Sequence, residues 1–176
     1  MSDESFQGLK DTLFFGPEEI GWLRQVHAVL QEQVDDVLDT WYGSLACKPK
    51  RTPYLTRTTA LPEAVYVQAL RRRLATWMLD VTAAAYDRAW LDHQHHERLR
   101  HARDSAPVIP DAAAAHAAHL RSIVGLVLPL TVTLRPFLAR NGHARTEIDC
   151  MEQAWFKAAT LVAALWAQPL IPEQDA

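Results

Sequence analysis

Apolar residues recur at steps of three and four through Ile20, Leu23, Val26, Leu30, Val34, Val37, Trp41 and Leu45. That spacing draws one apolar stripe along a long helix, because residues three and four apart share a helix face. Pro17-Glu18-Glu19 opens it, with proline pre-set for the first turn and acids at the positive end of the helix dipole. Pro62-Glu63 opens a second stripe through Tyr66, Leu70, Leu74, Trp77, Met78 and Val81. Further helices are expected over 87–103, over 112–139 with bends at Pro129 and near Pro136, and from about Thr146 until Pro169 stops the last one. Asp111 is the expected cap of the second of these, and Asn141-Gly142 its end. Leu9, Leu13 and Phe14 suggest a short helix upstream, and residues 47–60, with two prolines and four threonines, read as a loop. No segment alternates with period two, and no repeat or linker divides the chain. The expected fold is all-α, one domain over residues 1–176, with six to eight helices.

Composition narrows the function. The formal net charge of −3 argues against a basic nucleic-acid binder and against a general pull toward anionic membranes. The longest apolar run, Ile123 to Leu134, is too short to span a bilayer and carries two threonines. Cys47 and Cys150 are too few for a disulfide scaffold. The N-terminus has no apolar run of the kind a secretory leader needs, so a cytoplasmic protein is expected. No glycine-rich phosphate loop, nucleophile elbow or Cys/His/Asn set is present, so enzyme classes built on them have no support. Six tryptophans point to a large aromatic core or to a pocket for a flat ligand.

Three clusters could carry chemistry. WLDHQHHERLRH holds His93, His95, His96 and His101. His93 and His96 share a helix face, and Asp92 with His95 forms an Asp-x-x-His pair. A di-iron bundle needs such motifs on two helices, and a second copy is missing. The cluster therefore reads either as a solvated polar face or as the source of one imidazole for a haem iron. Spacing alone does not say which histidine that would be. In DTWYG, Trp41 continues the core stripe and Tyr42 lies at its edge. Both are packing residues, or Tyr42 offers its hydroxyl to a pocket ligand. Arg71-Arg72-Arg73 fan around a helix, so at least one borders the apolar stripe. They serve solubility, or one pairs with a carboxylate such as a haem propionate. The basic loop Lys48, Lys50, Arg51 and Arg57 admits the same two readings.

The blocks QVDDVLDTWYGSL, ATWMLD, YDRAWLDHQHHERLRH, LPLTVTLRPFLARNGH and EQAWFKAATLVAALW make the chain resemble the protoglobins over about Leu9 to Pro169. Protoglobins are the single-domain relatives of the globin-coupled sensors. The resemblance implies a globin-like helical sandwich enclosing one haem b, with the globin core at about 17–169. It also implies that His101, which ends the LRH block, is the iron ligand, and that Tyr42 and Trp41 are the distal tyrosine and its neighbour. Arg73 matches a basic residue at the haem edge. Leu74 and Leu126 stand where the family has phenylalanines, which implies a more open distal wall. The implied function is binding of the diatomic gases oxygen, carbon monoxide and nitric oxide. The implied assembly is a homodimer through the last two long helices, whose apolar positions exceed what one stripe needs. Two other readings stand beside it: a gas sensor acting through a separate partner, and a haem enzyme handling nitric oxide, peroxide or carbene-type reagents.

Overall fold

A computed structural model describes residues 1–46, 63–83, 85–105 and 112–167; the side chains of 45, 46, 63–67, 70, 101–105, 112–123 and 126 lie outside that description. The described residues form six helices and no strand: α1 (Asp3–Thr12), α2 (Pro17–Ala46), α3 (Glu63–Ala83), α4 (Arg88–Ser105), α5 (Ala112–Arg140) and α6 (Arg145–Trp166). The all-α expectation is met, and the long apolar stripe is one 30-residue helix. The expected loop at 47–60, the Asp111 cap and the stop at Pro169 fall outside the described residues.

The helix starts are built from short-range hydrogen bonds. Glu19 accepts from the Gly16 amide at 2.9 Å, and Glu147 accepts from the Ala144 amide at 2.7 Å. In each case a carboxylate three residues on satisfies an amide that the helix leaves unpaired. Asp87 does the same for α4, accepting from the Trp90 amide at 2.9 Å. Pro129 and Pro136 do not interrupt α5. The hydroxyls of Thr131 and Thr133 turn back onto the carbonyls of Val127 and Pro129. The hydroxyl hydrogens are satisfied within the helix itself. α1 ends earlier than Leu13 and Phe14 suggested. Phe14 takes a left-handed backbone, φ 50°, at the reversal into Gly16-Pro17, and its ring is 81% exposed.

Packing centres on α6, which lies against α2, α3, α4 and α5. From Ala154 onward it is buried on nearly every side: Ala154, Trp155, Ala158, Ala159, Leu161, Val162, Ala163, Leu165 and Trp166 are all in the core. A helix that is apolar all round belongs in the middle of a bundle, and its alanines let the neighbouring helices come close. The apolar excess of α6 is absorbed within the subunit, with Phe156 the large exposed exception. On α5 the excess does reach solvent, as the stripe Val124, Leu128 and Val132.

Directional contacts fix the helix register. His27 meets Thr82 at 3.0 Å, and Arg71 bonds the Asp35 carbonyl at 3.0 Å and the Asp39 carboxylate, so α2 and α3 run antiparallel. Arg135 bridges α5 to Asp149 and Glu152 of α6 across the tight turn at Asn141-Gly142. Gly142, at φ 77°, makes that turn. Lys157 joins α6 to the start of α2 through Glu19 and the Phe14 carbonyl. At the α3–α4 corner, Phe15, Tyr86, Trp90 and Phe6 stack in a row, with ring centroids 4.6, 4.5 and 6.0 Å apart.

Candidate functional site: the ends of α2 and α4

Trp41 and Tyr42 stand near the end of α2. Trp41 is fully buried, Tyr42 partly so, and their rings meet edge to face at 4.7 Å. The Trp41 indole N–H is buried with no hydrogen-bond partner among the described residues, and so is that of Trp155 on α6. A buried donor without an acceptor is unfavourable. The Trp155 ring packs on Trp77 instead; the orphaned indole of Trp41, beside Tyr42, fits a site completed by a flat aromatic group with acceptor or π character.

Leu74 packs, partly buried, against the same core. The antiparallel register puts it level with Val34 and Asp35, about two turns of α2 away from Tyr42. The two residues therefore line different stretches of the groove between α2 and α3. Of the three consecutive arginines, Arg71 is the one at the border of the apolar stripe. It clamps Asp35 and Asp39, and these acids hold its guanidinium even more firmly protonated than usual. Arg73 is exposed on α3. The side chain of Leu126, on α5, is outside the described residues.

α4 separates the histidines. Among its described side chains Trp90, Leu91, Gln94 and Arg98 are buried, whereas His93, His95 and His96 are exposed. His96 bonds the Asp92 carbonyl at 2.7 Å, and His93 lies 3.9 Å from Asp80. Burial pushes the Asp80 carboxyl above its ordinary value, partly offset by His93. No group of three or more metal-binding side chains occurs among the described residues, and these three histidines form a solvated face. His101 is in α4, and its side chain is outside the described residues. At 100° per residue, position 101 falls about 20° around the helix from Gln94.

Gln94 and Arg98 were not singled out from the sequence, although their spacing relative to 101 was there to be read. Gln94 is 3% exposed and accepts from the Trp166 indole of α6 at 3.2 Å. Burial lowers the proton affinity of the Arg98 guanidinium, which still stays charged. Described residues line recesses at two places away from Trp41. One of about 380 Å³ lies between α5 and α6 near Thr131, Gln153 and Phe156, and one of about 170 Å³ lies near Gln94, Arg98 and Trp166. Neither contains Trp41, Tyr42 or Leu74.

The profile of the Protoglobin family matches residues 2–176, and the chain belongs to that family. A comparison with curated proteins finds no match. Membership makes the six-helix fold a globin-like one and brings with it a haem cofactor and small gas ligands. No helix among the described residues is long and apolar enough to cross a membrane.

Proposed function

We propose that this chain is a cytoplasmic haem b protein that binds oxygen, carbon monoxide and nitric oxide at an iron held by His101. The proposed unit is one domain over residues 1–176, with a short N-terminal helix ahead of a globin core at about 17–169. The observation that carries the reading is the register of α4. Three of the four clustered histidines face solvent, and helix periodicity carries position 101 round to the face of α4 that holds Gln94. An imidazole there is shielded from water and available to a buried cofactor, whereas His93, His95 and His96 are not. The haem supplies an iron with a coordination position open to diatomic ligands.

The chain's own residues then divide the work. His101 holds the group from one side. Trp41 closes the core end of the pocket, and its indole hydrogen finds an acceptor or π surface there. Tyr42 holds a hydroxyl hydrogen toward the ligand space and favours a ligand that carries partial negative charge. Leu74 and Leu126 form apolar walls without rings, and Arg73 answers an acidic cofactor substituent from the edge of α3. The exposed stripe Val124, Leu128 and Val132 supports a homodimer, because apolar residues at this spacing on one face are covered most simply by a symmetric copy.

Absorption spectra of the purified protein test this, with and without reductant and carbon monoxide. His101→Ala should lose or scramble the ferrous and carbon monoxide spectra, and His93→Ala, His95→Ala and His96→Ala should keep them. A wild-type spectrum in His101→Ala would overturn the assignment.

A further inference from the structure

We propose that Gln94 is a positioning residue for the His101 imidazole, held in place by the indole of Trp166. The inference rests on the reading of His101 as the iron ligand, and it deepens that reading.

Gln94 sits where an ordinary helix seam would carry an aliphatic side chain, as Leu91 does one turn earlier. Burying an amide is unfavourable unless its hydrogen bonds are made. Here the indole of Trp166, itself in the core, donates to the amide oxygen at 3.2 Å. The bond crosses from α4 to α6, the helix on which α4 packs.

Apolar contacts are non-directional and hold two helices together without fixing their rotation tightly. A hydrogen bond between two planar groups is directional. It therefore sets the rotation of α4 about its own axis and the slide of α4 along α6. Position 101 lies two turns further on, about 20° around the same helix. A helix is stiff over that distance, so rotation at Gln94 becomes rotation at 101. The angular setting of position 101 about the helix axis is thus tied to the bond between Gln94 and Trp166. Trp166 is also the last residue of α6, so the bond ties that end of α6 to α4.

The test uses the haem-loaded protein and reads the iron–histidine stretching band of the ferrous form by resonance Raman. Gln94→Leu removes the acceptor at similar volume, Trp166→Phe removes the donor, and Gln94→Glu keeps an acceptor oxygen. The expected result is a shifted or split band in Gln94→Leu and in Trp166→Phe, with a return toward the wild-type band in Gln94→Glu. The double variant should change the band no more than either single change, because both delete the same bond. Circular dichroism and haem content separate this from a general loss of structure. Should Gln94→Leu fail to fold, Trp166→Phe alone reads the same bond.

An unchanged band in folded, haem-loaded Gln94→Leu or Trp166→Phe would overturn the proposal. His101→Ala separates the two levels. If it abolishes the band while the Gln94 and Trp166 variants leave it untouched, the positioning role falls and the ligand assignment stands. If the band survives His101→Ala, the ligand assignment fails and the positioning role fails with it.

Discussion

Tyr42 is the residue whose role separates one gas from another. Tyr42→Phe keeps the ring that packs on Trp41 at 4.7 Å and removes only the hydroxyl. A hydrogen bond to a partly charged acceptor is worth about 1.5–3 kcal/mol, so oxygen release should accelerate roughly 10- to 150-fold. Carbon monoxide accepts hydrogen bonds weakly, and its release rate should change far less. Stopped-flow dissociation rates for the two gases decide the matter: equal fold changes mean that Tyr42 only fills space. Tyr86 is a residue of a different kind. It is buried, its backbone is left-handed at φ 56°, and its hydroxyl donates to the Val81 carbonyl at 2.6 Å. Burial pushes its ionisation far above the ordinary tyrosine range. It closes the α3–α4 corner by stacking between Phe15 and Trp90. Tyr86→Phe leaves the carbonyl unpaired and should cost about 1–3 kcal/mol in denaturant unfolding. Tyr86→Ala also deletes the stack and should cost about 3–5 kcal/mol, the range for a large aromatic truncated in a core. Similar costs for both would mean that the stack contributes little.

Among the elements, α2 joins α6 through the Glu19–Lys157 pair. Burial alone would raise the Glu19 carboxyl, but Lys157 and the Gly16 amide both donate to it and hold it below its ordinary value. A carboxyl lowered in the folded state stabilises the fold above its unfolded value, and that stability is lost as pH falls through the folded value. Wild type should therefore exceed Glu19→Gln in melting temperature by a constant margin at neutral pH, and the margin should shrink in the acid range. A margin that does not change with pH would show that the pair contributes no charge-dependent stability. The helices themselves were legible from apolar spacing and, for α2, from the Pro17-Glu18 start, because those signals are local. The centrality of α6 was not. A stripe wider than one face reads equally as a core helix or as an interface helix, and only the neighbours decide. The same applies to the site. Trp41 was legible as core from its place in the stripe; that one of the three arginines borders the stripe was legible too, but not that it is Arg71. The Gln94–Trp166 bond joins residues 72 apart in the chain, and local periodicity carries no sign of it. Phe14 misled for a local reason, since apolar character at a reversal looks like one more helix turn.

At the scale of the whole molecule, the α5 stripe is an exposed apolar face, with Leu128 62% exposed between Val124 and Val132. In a two-fold assembly each of these residues occurs twice at the interface, so one substitution acts twice. Leu128→Glu places two like charges in the contact and should give the monomer mass in light scattering at micromolar concentration, while wild type gives twice that mass. A wild-type protein that is monomeric under those conditions would remove the dimer.

The central position of α6 also bears on synthesis. Ribosomes deliver a chain from its N-terminus, so α2, α3, α4 and α5 all emerge before the helix they share. Until Arg145–Trp166 is out, the seams of those four helices that rest on Trp155, Ala158, Ala159 and Val162 have nothing to close on. The nascent chain therefore carries uncovered apolar surface for most of its translation, and its completion resembles the insertion of a keystone rather than a stepwise build. A chain organised in this way depends on chaperone cover during synthesis more than one whose core closes within its first helices.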